Sequence, residues 1–306
     1  MTLNEELRND AVPMQNHPVG ICQPEPAWDD SKPLIVILAS CHGRTLLTYF
    51  DRQPDFRSKY NIVRLETGPI HVKEITGEPV MTRPSIAKLL CRADILLTYN
   101  MGVDHGSYSM ENIRKQIRSD CKVITFTAPN CSLFWPVAYG YLGDFAVMHA
   151  FDTGKTAEQI IHDFYNGTFD PMFKMRWRLE IGRLEHKDIS HDVKLAPFVV
   201  RNHVTHKLFM GPSHPTFTTV AWLGSEIIRL LGYASETEAQ VLAHDHNINA
   251  MGPFPETHYE FNHFGFTYPM RHQHSADCGG IEFYRSVIAG AWKSAFNKAN
   301  FMIQTD

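Results

Sequence analysis

Apolar and polar positions along the chain follow two alternating periods. Leu34 to Leu38 form an aliphatic run bounded by Pro33 and by the small pair Ala39-Ser40, the pattern of a short strand buried on both faces. Comparable runs occur at Asn61 to Glu66 (NIVRLE), Asp94 to Tyr99 (DILLTY) and Lys122 to Thr127 (KVITFT). Between them the spacing predicts helices near Arg44 to Asp51, Pro84 to Arg92 and Met110 to Ser119. Strand, helix, strand at this spacing predicts a parallel sheet with right-handed crossovers, whose ligands bind beyond the carboxyl ends of the strands.

After about Pro136 the pattern turns helical. Val137 to Ala150 is apolar and aromatic, Thr156 to Tyr165 opens with a Thr and Glu suited to a cap, and Met172 to Lys187 mixes bulky apolar with charged residues. Thr216 to Leu231 is a helix opened by Pro215 and stopped by Gly232, with a shorter helix at Ser235 to Ala243. His246 to Gly280, rich in Gly, Pro, His and aromatics, reads as a long structured loop, and Ile281 to Asn297 as a closing helix. The expected fold class is α/β: a small parallel sheet with flanking helices in the N-terminal half, then a mainly helical C-terminal half. The expected organisation is an irregular, proline-bearing arm over residues 1–33, an α/β portion over 34–135, and a helical portion over 136–306 packed on it as one continuous domain or a second one.

Composition narrows the classes. With 306 residues, 43% hydrophobic, the chain can bury a sizeable core. A net charge of -4 argues against general nucleic-acid binding, although a local basic pocket for phosphates stays compatible with it. No apolar run approaches a membrane span and the first ten residues lack a signal-peptide core, so the expectation is a soluble, cytoplasmic protein. The six cysteines, without a CxxC pair, read as reduced thiols rather than a disulfide framework or zinc finger.

The break from the first strand into Ser40-Cys41-His42-Gly43-Arg44 is where chemistry can sit. Backbone N–H groups at a helix start carry partial positive charge, which lowers a thiol pKa and binds oxyanions or phosphates. Cys41 occupies that position as a candidate nucleophile, by the same logic that builds nucleophile elbows. An equal contender is direct transfer with a histidine as base, in which Cys41, nearby N–H groups and Asn100 line the oxyanion site, and an inert buried cysteine is the plain alternative. His42 is the adjacent candidate for substrate binding, oxyanion donation or base. The strand exits at Asn100 and Asn130 supply further polar groups at the same sheet edge. A second loop-to-helix junction, Gly211 to Pro215, presents His214 as another candidate base. The 17 histidines make any single one weak evidence, and two groups, His244-Asp245-His246 and His258 to His263 with His272 and His274, show neither HExxH nor a zinc spacing, so no metal is assigned. The absence of a Gly-rich phosphate loop speaks against nicotinamide or nucleoside triphosphate use.

These features in this order resemble the WcbI family of polysaccharide-biosynthesis proteins. They are Ser40 to Arg44 after a strand, a strand ending at Tyr99-Asn100, the segment around Asp188 to Asn202, and Lys207-Leu208-Phe209 leading to His214-Pro215-Thr216 and a long apolar helix. Members are regarded as acetyltransferases of bacterial capsule assembly that bind coenzyme A. The resemblance implies acetyl transfer from acetyl-CoA to a sugar hydroxyl of a surface polysaccharide, with Cys41, His42 and His214 as catalytic candidates. It implies coenzyme A contacts drawn from Ser40, Gly43, Arg44, Asn100, Arg201 and Lys207, a sugar or polysaccharide acceptor, and association with other capsule enzymes. A weaker likeness to SGNH hydrolases fails at two points, since Cys41 replaces serine and Gly211 stands where an Asp precedes His214 by three residues. The competing functions are a thiol esterase or deacetylase, and a non-catalytic coenzyme A or glycan binder.

Overall fold

The computed structural model describes residues 21–22, 29–66, 84–131, 133, 145–166, 168–211, 214–244 and 262–269. A five-stranded sheet has the order β1-β3-β2-β4-β5. Its strands are β1 (Ile21–Cys22), β2 (Leu34–Ala39), β3 (Asn61–Glu66), β4 (Ile95–Thr98) and β5 (Lys122–Thr125). β2 to β5 run parallel, and β1 pairs antiparallel with β3 at the edge. The chain leaves β2 for β3 on one side, then crosses over to place β4 on the other side of β2. Strand order therefore reverses at β2, and a crevice opens beyond the carboxyl ends of β2 and β4.

The alternation of side chains sorts β2 into two faces. Leu34, Val36 and Leu38 join Val63, Leu65 and Leu96 beneath α3 (Pro84–Arg92) and α4 (Met110–Arg114), which contribute Ile86, Leu89, Leu90, Met110 and Ile113. On the opposite face lies α1 (His42–Asp51), whose second residue Gly43 sits on the strand: a Cβ there would stand 3.2 Å from Ala39 Cβ and 3.4 Å from Ile37 Cγ2. The same position covers the buried Arg64 side chain, whose Cδ lies 3.5 Å away. Burial on both faces explains why β2 reads as an unbroken aliphatic run.

α9 (Phe217–Leu230) packs on α1 through a small-residue contact. A Cβ at Gly224 would fall 2.2 Å from Cδ1 of Tyr49, so the helices approach closely only because Gly224 has none. Tyr49 is fully buried and its hydroxyl donates to Glu236 Oε2 at 2.8 Å, which fixes the ring. Phe217 packs against it at a tilt, ring centroids 6.3 Å apart, and the Arg52 guanidinium lies 4.6 Å over the Phe217 ring. α2 (Pro54–Arg57) and α10 (Glu238–Leu242), the latter opened by a Thr237–Gln240 capping box, complete this side.

The chain divides into two compact units. The first takes Met1–Pro129, Glu185–Pro197 and Phe217–Asn247; the second takes Asn130–Leu184, Phe198–Thr216 and Ile248–Asp306. Within the second, α5 (Phe145–Asp152) and α6 (Ala157–Asn166) share a core of Ala146, Val147, Ala150, Ile160, Ile161 and Phe169. The second unit also holds a two-stranded ribbon, β6 (Phe209–Gly211) with β7 (His214–Pro215), and most of the long α7 (Phe173–Ile189) and of α8 (Ala196–Asn202); the end of α7 from Glu185 and the start of α8 up to Pro197 belong to the first.

The expected α/β class, with its parallel sheet and flanking helices, is the observed one. β3 and α3 begin and end where the pattern placed them. β5 stops at Thr125, two residues early, because Phe126 leaves the regular ladder and bridges Val193. The predicted helix from Met110 ends at Arg114 rather than Ser119, and Pro54–Arg57 forms a short helix the pattern did not show. Most of the expected N-terminal arm, the start of the Val137 to Ala150 segment, the helix at Ile281 to Asn297 and all of the His246 to Gly280 loop except 262–269 lie outside the described residues.

Gly224→Ala tests the α1–α9 contact. The rigid Tyr49 ring cannot swing away, so the variant should lose about 1–3 kcal/mol of stability, the usual range for overpacking. An equilibrium urea midpoint compared with the parent protein reads the loss.

Candidate active site

The turn after β2 delivers three side chains in different directions. Cys41 is the capping position of α1 and its thiol is exposed, whereas His42 is buried. Gly43 N donates to Ser40 O at 2.8 Å and Arg44 N to Cys41 O at 3.0 Å. Two of the backbone donors expected to await an anion are thus used inside the turn itself. Gly43 serves the approach of α1 to β2, and Arg44 is exposed in the first helical turn.

The neighbour across the crevice is Tyr99, the residue after β4. Because Leu38 pairs with Thr98, continuing the register brings Ala39 and Ser40 alongside Tyr99 and Asn100. The Tyr99 hydroxyl lies 2.8 Å from His42 Nδ1 and 3.2 Å from Ser40 Oγ, and Ser40 Oγ lies 3.1 Å from the same Nδ1. The His42 and Tyr99 rings meet edge-on with centroids 6.3 Å apart. Desolvation pushes the Tyr99 phenol well above its ordinary pKa; the Ser40 hydrogen bond opposes this and a charge on Cys41 adds to it. The phenol therefore keeps its proton, and the thiol lies within its electrostatic reach.

Chemically, this triangle is a two-way clamp. A hydroxyl both donates and accepts, so Ser40 and Tyr99 satisfy Nδ1 whether or not it carries the proton. His42 can change protonation at Nε2 while its other nitrogen stays held, the property required of a residue that first takes and then returns a proton.

Asn100 turns away from this cluster. Its backbone N–H donates to His191 Nε2 at 3.1 Å and its Nδ2 to Ser190 O at 3.1 Å. The segment that receives it is anchored to the end of β5. The buried Asp188 carboxylate accepts from the Thr127 hydroxyl and from Leu195 N and Ala196 N at 2.7–3.0 Å. Asp192 Oδ2 accepts from Thr125 N at 2.7 Å and from Thr125 Oγ1 at 2.9 Å. A buried donor stripped of its partner costs about 1–3 kcal/mol, so these shared acceptors hold the turn firmly.

The remaining candidates belong to the second unit. His214 is the first residue of β7, partly buried, with its pKa lowered by desolvation. Lys207 is buried, and Arg201 is exposed near the end of α8. Asn130 is also there; its backbone carbonyl accepts from Arg183 Nη2 at 2.5 Å. Of the two histidine groups, His244 is described and its Nε2 lies 3.0 Å from Glu236 Oε2, while His263 stacks on Phe173. Among the described residues no group of three or more His, Cys, Asp or Glu is placed to hold a metal ion. No helix among them is long and apolar enough to cross a membrane.

With this geometry in view, comparison with known proteins is decisive. Residues 34–236 match the family described as polysaccharide biosynthesis enzyme WcbI. The chain belongs to the WcbI family of polysaccharide biosynthesis enzymes. One solved WcbI structure superposes with a TM-score of 0.60 over 88% of this chain and 96% of the other, at 13% sequence identity. That protein is described as a novel polysaccharide biosynthesis enzyme, in its native form without a disulfide bond between coenzyme A and one of its cysteines. The likeness establishes a shared fold. No curated protein matches the sequence.

Sequence reasoning placed Cys41 and His42 at the open edge of the sheet but gave Tyr99 no role and passed over His191. Tyr99 was present as the end of an apolar run, and the one available signal was a polar tip on the last residue of a buried strand.

Two measurements check the site. In the native protein an alkylating reagent should modify Cys41 and Cys91, both exposed, while Cys131 reacts only after unfolding, since burial excludes the reagent and pushes that thiol up to about 12. Peptide mapping after brief labelling reads this. His191, His203 and His214 all have pKa values lowered by burial. The fold favours their neutral forms, so their contribution is complete above 6.5, the ordinary value, and drains away as pH falls below it through the folded values. Urea midpoints should therefore decline from neutral pH toward pH about 5.

Proposed function

We propose that this WcbI-family protein is an acetyl-CoA-dependent O-acetyltransferase acting on a sugar hydroxyl of a capsular or other surface polysaccharide. The observation that carries the reading is the pairing of an exposed thiol with a buried, hydroxyl-clamped histidine at the point where strand order reverses. Support also comes from membership of a polysaccharide biosynthesis family, and from a protein of the same fold whose description names coenzyme A and a cysteine, in a form without a disulfide bond between them.

In this reading the sulfur of Cys41 attacks the acetyl carbonyl of acetyl-CoA. A new C–S bond forms, the C–S bond to coenzyme A breaks, and the departing thiolate takes up the proton released by Cys41. A sugar hydroxyl next attacks the acetyl-Cys41 thioester and passes its proton to His42 Nε2, while Nδ1 remains held by Ser40 and Tyr99. The Cys41 sulfur leaves and recovers that proton. Exposed Arg44, in the first turn of α1, is the residue of the donor set open to a ligand, while Ser40 holds His42, Gly43 seats α1 on β2 and Asn100 is engaged by His191 and Ser190. Arg201 and Lys207 stay candidates for donor binding, and His214 a second candidate base, in the second unit.

Intact-mass analysis after incubation with labelled acetyl-CoA should show an acetyl adduct that Cys41→Ala abolishes, discharged on adding a sugar acceptor. Sugar acetylation without any adduct overturns the covalent route. Rapid acetate release without acceptor marks an esterase. Coenzyme A at a hundredfold excess over Kd should stabilise the fold by about 2.7 kcal/mol, and a melting temperature unmoved at saturation removes the donor from the reading. Tyr99→Phe keeps the ring and removes the shorter of the two contacts to His42 Nδ1, leaving Ser40, so kcat should fall about 10–100-fold with KM for acetyl-CoA little changed.

A further inference from the structure

We infer that His191 is a positioning residue for the reaction centre: its neutral imidazole holds the Tyr99–Asn100 segment in place, and protonation lets that segment go. The inference rests on the acetyltransferase reading only where activity is concerned; the latch itself stands on hydrogen-bond geometry.

The two ring nitrogens of His191 face partners of opposite kind. Nδ1 lies 2.6 Å from the carbonyl oxygen of Lys187, which can only accept. Nε2 lies 3.1 Å from the backbone nitrogen of Asn100, which can only donate. Nδ1 therefore carries the hydrogen and Nε2 the lone pair, and one tautomer of one charge state fits. The Ser190 hydroxyl, 3.3 Å from Nδ1, does not alter this assignment. A proton added to Nε2 would set N–H against N–H, ending the bond and repelling the Asn100 amide.

The latch connects a fixed body to a loop that bears chemistry. On the fixed side, Asp188 and Asp192 tie the 188–196 segment to Thr125 and Thr127, at the carboxyl end of β5. On the other side, Asn100 follows directly on Tyr99, whose hydroxyl clamps His42. Besides its bond to His191, this loop is held to the same segment by the Asn100 carboxamide on Ser190 O. Release at Asn100 therefore loosens Tyr99 against His42.

The charges around the imidazole are Lys187 and Asp188 in the last turn of α7 and Asp192 in the turn after that helix, a turn that also holds His191 itself. Across the contact, Tyr99 is the neighbouring titratable side chain, kept protonated by its own desolvation. The two carboxylates favour the imidazolium and Lys187 opposes it, but burial is the largest influence and lowers the pKa below its ordinary 6.5. The latch is closed at neutral pH and opens only on acidification.

The test uses the full chain and two variants. In 1H–15N spectra the Asn100 amide should be exchange-protected at about pH 7.5 and lose protection as His191 titrates toward about pH 5, with ring nitrogen shifts reporting the Nδ1–H tautomer at the upper end. His191→Gln offers a carboxamide oxygen in place of Nε2 and should keep the Asn100 amide protected across the whole range. His191→Ala should lose protection at every pH and lower kcat about tenfold with KM for acetyl-CoA within about twofold, while His191→Gln retains the rate and loses the His191-dependent part of the acid limb. An Asn100 amide that stays protected while His191 titrates, or a ring found as the Nε2–H tautomer, overturns the proposal. If the parent protein shows no acetyl transfer, the reading of the reaction fails and the amide and ring measurements still decide the latch.

Discussion

The parallel ladder between β2 and β4 is the constraint on which the site depends. Two strands separated in the chain by β3 and a crossover helix lie side by side, with Leu38 opposite Thr98. Their ends therefore emerge together, and the residues that follow, Ser40 to His42 on one side and Tyr99 on the other, have no geometric choice but to meet. Backbone hydrogen bonds fix the register to a single residue, and a one-residue slip would turn Tyr99 to the opposite face. The precision of a 2.8 Å contact between Tyr99 and His42 is inherited from that ladder.

The layers on either side keep the ladder rigid. One face is sealed by the aliphatic residues of α3 and α4, and the other by α1, which can lie close only because Gly43 gives it room. α9 in turn locks α1 through Gly224 and Tyr49. The helix that starts at Cys41 is thus buttressed near its far end, and the exposed thiol at its start stands on a fixed element rather than a loose loop, as precise catalytic geometry requires.

Two histidines near this edge illustrate how partner chemistry sets function. His42 is held by two hydroxyls, which donate or accept as needed, so its charge can change without loss of position. His191 is held by a carbonyl and an amide N–H, which cannot reverse roles, so its charge cannot change without loss of contact. The same side chain is suited to proton transfer in one setting and to holding a loop in the other. The chain's family is one of polysaccharide biosynthesis enzymes, and the two histidines engage the same Tyr99–Asn100 segment that follows β4.

By itself the sequence determined the α/β class, the parallel strands of the sheet and the turn after its first long strand. Strands buried on both faces are rich in aliphatic residues, unbroken in β2 and interrupted by the buried Arg64 in β3, so β2, β3 and β4 stand out against their helices, and a small-residue break after the first of them marks the turn that carries Cys41 and His42. Asn61–Glu66 and Pro84–Arg92 were legible to the residue for that reason. The tertiary structure alone decided that β4 would flank β2 on the side opposite β3. Spacing along the chain lets β4 add next to β3 or next to β2 with equal ease, yet only the observed order brings Tyr99 onto His42. His191 was illegible for a related reason: its contact spans 91 positions of chain and is made to a backbone amide, which leaves no mark on the identity of the residue that donates it.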